Sequence, residues 1–398
     1  MKHRCVTAIA VVLCLSLVAC SDDGPITDTE PGEEVWSNKA SQGIDRASPT
    51  VVDGLVFQVV SGGRLLALET STGEVAWEHD VTSAGSDVSV NVVGDRLYYA
   101  RQTDFPNIDM VVGLDSTTGD VEWGVDEAPP RMAPTIYGDT AFVSGEAAVE
   151  AFDIDDGSTR WEYDNFEEGF HSPTSPTIVD GTVVVGGGLN SNVTAIDADS
   201  GDEQWRFDTG DAVHAAVTVA DGVVYAGSHD ETLYALDLDS GDELWSFTEP
   251  SDVIGTTGRA SSSGATPTVS DGVVYVGSYD ETLYAVDATS GDERWRYTEP
   301  DSAISQGATV ADGVVFAVEM DSVLHAIDAE TGDQLWTSDL GGAASFSSPI
   351  VVDGIVYATH ANGVVHAIDA GVSGSSDDSR VNLGTTNHHH EWAERAAQ

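Results

Sequence analysis

Residues 235–245 read ALDLDSGDELW, and the pattern they contain, Ala-x-Asp-x-x-Ser/Thr-Gly-x-x-x-Trp, recurs along the chain. Six further copies occupy residues 67–77 (Glu69 for Asp), 113–123 (Gly113 for Ala), 151–161 (Asp156 for Ser/Thr), 195–205, 285–295 and 326–336. Successive tryptophans lie 46, 38, 44, 40, 50 and 41 residues apart, too regular for chance. A period of about 40–45 residues is that of a four-stranded propeller blade. Each position suits a turn between two strands. The glycine admits the positive φ of a tight turn, and the aspartate bonds backbone amides two residues on. The tryptophan follows on the outgoing strand, where a large flat indole wedges between blades while its N–H finds a carbonyl. Repetition alone explains these residues without chemistry.

A second mark precedes each copy. Six apolar runs are broken by Asp-Gly, ending at Gly54, Gly181, Gly222, Gly272, Gly313 and Gly354, and two by the reverse order, Gly94-Asp95 and Gly138-Asp139. Asp-Gly between apolar strands predicts a type I′ hairpin. The last repeat, residues 348–369, stops before its Gly-Trp strand, and the missing piece stands at the opposite terminus as residues 34–37, EVWS. Pairing that N-terminal strand into the last blade closes the ring and removes its open edges. The expected fold is all-β, an eight-bladed β-propeller of four-stranded antiparallel blades over residues 35–370. Its docking residues are Trp36, Trp77, Trp123, Trp161, Trp205, Trp245, Trp295 and Trp336. Seven blades is the alternative if the insertion at residues 101–110 means that the second repeat is not a blade.

This constellation resembles the tryptophan-docking motif of the pyrroloquinoline quinone (PQQ) type propeller repeat. The resemblance implies a propeller and two kinds of function, because that family holds quinoprotein dehydrogenases and also non-enzymatic scaffolds such as the lipoprotein BamB. In a dehydrogenase it implies PQQ with calcium on the axis and an aspartate base. No catalytic residue transfers position by position: the mature chain lacks an adjacent cysteine pair, most loops between blades are short, and the longest, residues 248–265, has no evident Glu, Asn and Asp metal set. Phosphate-binding glycine loops, zinc spacings and nucleophile elbows are absent from the sequence. Fold does not choose between the two. The expectation is a binding or assembly scaffold with no catalytic residue, metal or cofactor; a PQQ-dependent dehydrogenase of alcohols or sugars is the alternative.

Residues 1–19 combine a basic start with a short apolar run and read as a secretory signal. Residues 17–20, LVAC, resemble a lipoprotein box that leaves Cys20 for lipid attachment. Cys5, Cys14 and Cys20 are the three cysteines, so the mature domain holds no disulfide. Residues 20–34 read as an acidic tether and residues 371–398 as a disordered tail. The tail's His388, His389 and His390 form no closed metal site unaided. Acidic residues outnumber basic ones 68 to 15, a net charge of −53. Such a surface repels itself at ordinary ionic strength and is screened in molar salt. A halophilic source follows, and nucleic acid is disfavoured as a partner. The expected protein is monomeric, exported, anchored to the membrane through its N-terminal lipid, and bound to a protein or surface polymer.

Chemistry is expected at the mouth of the ring, where loops between blades converge. Aligning the eight first strands on Pro49 places Arg46, Asp87, Arg131, Pro173, His214, Gly264, Ser305 and Phe346 three residues earlier. Arg46, Arg131 and His214, with Arg101 and Arg259 in adjoining loops, are candidates for an anion-attracting funnel. The competing reading pairs them with the abundant carboxylates for little net energy. Phe105, Phe166, Phe170 and Phe346 are candidate apolar contacts for a partner. The turn at residues 197–203, DADSGDE, alternates carboxylates as calcium loops do, but its glycine comes one place too early for an EF-hand. Asn192-Val193-Thr194 is an N-glycosylation sequon.

Overall fold

The computed structural model describes residues 29–39, 47–60, 63–80, 90–101, 110–125, 134–145, 148–164, 174–248, 265–342, 347–360 and 362–376. They form strands β1 to β32, arranged as eight four-stranded antiparallel sheets, with no helix among the described residues. The fold is an eight-bladed β-propeller, and the second repeat is a true blade.

The fifth blade shows how the repeat makes the structure. It consists of β18 (Thr218–Ala220), β19 (Val223–Ser228), β20 (Thr232–Asp237) and β21 (Glu243–Thr248), hydrogen-bonded in that order. Asp221 and Gly222 join the first two strands with φ of 50° and 76°, the doubly positive pair of a type I′ turn. Where the order is reversed, Gly94 and Gly138 alone take positive φ, 61° at each, which is the type II′ form. Val224, Leu233, Ala235 and Leu236 are fully buried, while the outermost strand is mostly exposed. The short inner strands ring the axis: β30 (Ile350–Val352) lies beside β2 (Thr50–Val52) and β26 (Thr309–Ala311).

The motif works as a dock between blades. Ala235 pairs with Trp245, and the register slips immediately afterwards. The slip opens a turn in which Asp237 Oδ1 accepts the Ser240 amide and hydroxyl at 2.9 and 2.8 Å. Gly241 holds φ 74°, and a Cβ there would lie 2.6 Å from the Trp205 ring of the preceding blade. Trp205 Nε1 donates to Leu238 O at 2.7 Å. Trp36, Trp77, Trp161, Trp245 and Trp295 make the same bond to Thr70, Ser116, Ala198, Ala288 and Ala329 O, at 2.7 to 3.1 Å. The Trp123 side chain lies outside the described residues.

Ring closure uses more of the N-terminus than four residues. β1 (Glu34–Lys39) pairs antiparallel with β32 (Val364–Asp369), outside β31 (Ile355–His360) and β30. Gly32 N donates to Asp369 O at 2.8 Å and Asp369 N to Glu33 O at 2.9 Å. The fifth blade makes the same two bonds through Gly241, Asp237 and Asp242. Thr29 Oγ1 donates to Asp369 Oδ2 at 2.8 Å, and Gly32, at φ 86°, sits where a Cβ would meet Trp336 at 2.9 Å. The eighth motif is therefore whole in space, with Asp369 from one terminus and Gly32-x-x-x-Trp36 from the other. The described disk also takes in residues 29–34 and 371–376, on either side of the 35–370 span outlined by the repeats. Backbone bonds across the seam, which composition does not register, hold these extra residues.

Candidate functional site

The entering loops and the turns between second and third strands share one face, as the bond of 2.8 Å from His229 N to Ala212 O shows in the fifth blade. The hairpins and motif turns share the other, where Leu238 N donates to Gly222 O at 2.9 Å.

A belt of hydroxyl bonds fixes the axis. Thr50, Thr135, Thr177, Thr218 and Thr268, each at the start of an inner strand, donate from Oγ1 to a carbonyl of the next blade at 2.6 to 2.8 Å. Asn91 takes the same place and donates to Pro134 O. In the eighth blade the position is Ile350, and the seam is bridged instead by Ser348 N to Ser48 Oγ at 3.0 Å and Thr359 Oγ1 to Ala47 O at 3.3 Å. These threonines went unread in the sequence, although a Thr following the aligned Pro position was the visible signal.

On the loop face, polar groups engage one another. In the fifth blade His214 meets His229 edge to face, with ring centroids 4.6 Å apart. Burial first, then the neighbouring imidazole, lowers the His214 pKa below its ordinary value despite Asp211, so the ring is neutral at pH 7. Asp230 Oδ2 accepts Gly210 N at 2.6 Å and Tyr234 OH at 2.7 Å. In the seventh blade Glu319 Oε2 accepts the Asp301 and Ser302 amides at 2.9 and 3.2 Å. Tyr297 OH donates to Gln334 Oε1 at 2.5 Å and meets His325 Nδ1 at 2.9 Å. That arrangement places the imidazole proton on Nδ1 and turns Nε2 toward Glu319 Oε2, 3.7 Å away. Burial pushes His325 down to about 4 and Glu319 upward, so this contact is not an ion pair at neutral pH. Both side chains are buried, at 4 % and 3 % exposure.

These clusters trace a second inter-blade tier. The residue before the motif alanine differs from blade to blade, and in three blades it meets the residue two places after the previous blade's tryptophan: Tyr234 with Phe207, Tyr284 with Phe247 and His325 with Tyr297, at centroid distances of 5.3, 5.8 and 5.6 Å. The aromatic at Trp+2 was the available sequence signal.

Of the expected funnel, only His214 has a described side chain, and it packs within its own blade without a charge at pH 7. Arg46, Arg131, Arg259 and Phe346 lie outside the described residues, as do Phe105, Phe166, Phe170 and the Arg101 side chain. Arg64, Arg96, Arg160, Arg206, Arg294 and Arg296 form ion pairs with carboxylates on outer strands and turns. Cys20 and the tail histidines also fall outside. Asn192 is 3 % exposed, with Thr194 Oγ1 donating to its Oδ1 at 3.2 Å, so the sequon is shut inside the folded blade. In the acidic turn, Asp197 Oδ1 is engaged by the amides of Asp199 and Ser200 and by the Ser200 hydroxyl, the ordinary turn role. No group of three His, Cys, Asp or Glu among the described residues has the arrangement of a metal site.

A family model described as outer membrane protein assembly factor BamB matches residues 15–125, 90–190, 189–305 and 298–376. The chain belongs to this BamB family. BamB of Salmonella typhimurium is 28% identical over 169 residues, 39% of this chain and 41% of the relative. The chain thus matches less than half the length of that relative. The dehydrogenase subunit of a quinone alcohol dehydrogenase from Komagataeibacter europaeus is 24% identical over 185 residues, 44% of this chain and 20% of that one. Among solved structures, BamB from Moraxella catarrhalis superposes with TM-score 0.67 at 20% identity, covering 84% of this chain and 96% of that one. Quinohemoprotein alcohol dehydrogenase from Comamonas testosteroni does so with TM-score 0.64 at 17% identity, covering 85% and 76%. Both likenesses show the propeller.

Proposed function

We propose that this chain is a non-catalytic scaffold of the BamB type, an exported disk that holds a protein partner at the cell surface through its loop face. One observation carries the reading: on that face Asp230 Oδ2 accepts Gly210 N and Tyr234 OH, Glu319 Oε2 accepts two backbone amides, and the His214 ring packs against His229. These contacts build and hold the loop face itself, which suits a binding surface. Membership of the BamB family supports the same reading. The assembly role in the BamB name applies to proteins of outer membranes; the class of function proposed here is protein assembly, with the membrane left to the source. Attachment through Cys20 and a surface adapted to molar salt complete the proposal, on the LVAC box and the net charge of −53.

The dehydrogenase alternative rests on the quinoprotein likeness. A bound quinone would supply the oxidising group, and its calcium would require hard oxygen ligands. On the described axis the threonine hydroxyls donate to carbonyls of the next blade, and no group of three His, Cys, Asp or Glu among the described residues has the arrangement of a metal site, so no step is derived through that cofactor. The test is titration of the signal-free domain in multimolar KCl with PQQ and Ca²⁺, followed by tryptophan fluorescence and dye-linked oxidation of alcohols and sugars. The scaffold reading expects neither saturable binding nor turnover. Binding with turnover would replace it, and crosslinking at the cell surface that captures no protein would remove its partner.

A further inference from the structure

Residues 371–376, GVSGSS, leave the last blade and turn inward across the hairpin face. Val372 packs on the apolar cluster shared by the seventh and eighth blades. Asp312, in the seventh-blade hairpin, then gathers three donors on one oxygen: Ser373 N at 3.1 Å, Ser373 Oγ at 3.2 Å and Gly374 N at 2.8 Å. Beyond it the segment runs along β30 and its hairpin. Gly354 N donates to Gly374 O at 3.0 Å, Asp353 N to Ser375 Oγ at 2.9 Å, and Ser376 N to Val351 O at 2.9 Å. Val351 N donates back to Ser376 Oγ at 3.1 Å, and Ser376 is fully buried.

The position of β30 makes this pairing more than a surface strap. One edge of β30 pairs with β31, in the register Ile350 to Tyr357 and Val352 to Ile355, and β30 is the last strand of its sheet. The Val351 N–H and C=O, bonded to Ser376, therefore face the axis. An open strand edge is a template for another extended chain. Here the chain supplies its own, antiparallel to β30, with a serine hydroxyl replacing one backbone acceptor. The hold consists mainly of polar bonds from small residues, which open locally more readily than a buried apolar strand.

We propose that the axis-facing edge of β30, with Asp312 as an amide clamp, is a peptide-addition site whose resident occupant is residues 371–376, held in cis and exchangeable for an extended Gly/Ser-rich segment of a partner protein. Backbone bonds supply affinity in such strand addition, and the permitted side chains supply specificity. The side-chain limits are explicit. A Cβ at Gly374 would lie 2.6 Å from Asp312 Oδ1, so a larger residue there displaces the clamping carboxylate and glycine is favoured. Full burial at Ser376 admits only a small residue. The cis segment competes at a high effective concentration, so a free peptide gains entry when the resident is weakened.

The test uses the full chain carrying Gly374→Val, which crowds the Asp312 carboxylate and weakens its clamp on the segment, and a fluorescent GVSGSS peptide as probe. The peptide is expected to bind the variant at least about tenfold more tightly than the unmodified chain. Adding Asp312→Ala to the variant should abolish that gain. Equal binding to both chains, or no binding to a Gly374→Val chain whose circular dichroism is unchanged, overturns the proposal. If Gly374→Val does not fold, Ser375→Ala/Ser376→Ala, which removes three hydroxyl bonds without adding bulk, replaces it with the same expectation and the same refuting results.

Discussion

Replacing Gly241 by alanine asks whether the contact of glycine with tryptophan holds neighbouring blades together. Gly241 takes φ 74°, and its Cβ would sit 2.6 Å from two carbons of the Trp205 ring. An L side chain in the left-handed region costs about 1–2 kcal/mol. Displacing a packed indole adds about 1–3 kcal/mol of overpacking. Gly222 is the matched control. It lies in the same blade at φ 76° with nothing within 4 Å of its Cβ, so Gly222→Ala carries the backbone cost alone. Urea unfolding at fixed KCl, followed by tryptophan fluorescence and circular dichroism, should find Gly241→Ala less stable than Gly222→Ala by about 1–3 kcal/mol with the same m-value. Trp205 emission should also move to the red as the indole leaves its dock. Equal losses for the two variants would refute the reasoning, because the glycine would then serve only turn geometry.

Other consequences follow from the seam and the buried charges. Trp36→Ala removes the indole that bonds Thr70 O at 2.7 Å and should cost about 3–5 kcal/mol, with faster amide exchange in β1 and β32 than in β18–β21; uniform loss of protection would contradict a local latch. Glu150 pairs with Glu162 across its ladder, and burial first, then that charge, pushes its carboxyl from 4.5 up to about 7. A folded pKa above the ordinary one favours the protonated folded state, a contribution lost as pH rises through about 7. Glu150→Gln should therefore gain about 1–3 kcal/mol well above pH 7 and nothing well below pH 4.5, and a pH-independent effect would contradict this. His325 has the opposite sign. Its neutral form is held down to about 4, so stability present above 6.5 is lost as pH falls to 4, and His325→Asn should flatten the acid limb of a melting-temperature profile. An unchanged acid limb would remove His325 from that account.

Much of the fold is legible in short windows of sequence because its determinants are local. Asp-Gly and Asp-x-x-Ser-Gly set turn dihedrals over two to five residues, and alternation with the Trp period places strands and docks, so eight blades and the closure at Trp36 follow from pattern. What lies between distant chain segments was not legible. Glycine and threonine before Val35 look like tether until Thr29 meets Asp369 and Gly32 meets Trp336. A Gly/Ser run looks like tail until Asp312 and Val351 give its amides partners. His214, a candidate for the anion-attracting funnel, packs as a neutral ring because burial and His229 surround it, and packing that no tripeptide encodes buries Asn192 of the sequon. Local turn chemistry depends on neighbours in the chain and so is written in order along it. Burial, pKa and strand addition at the seam depend on neighbours in space, and only the closed ring decides which those are.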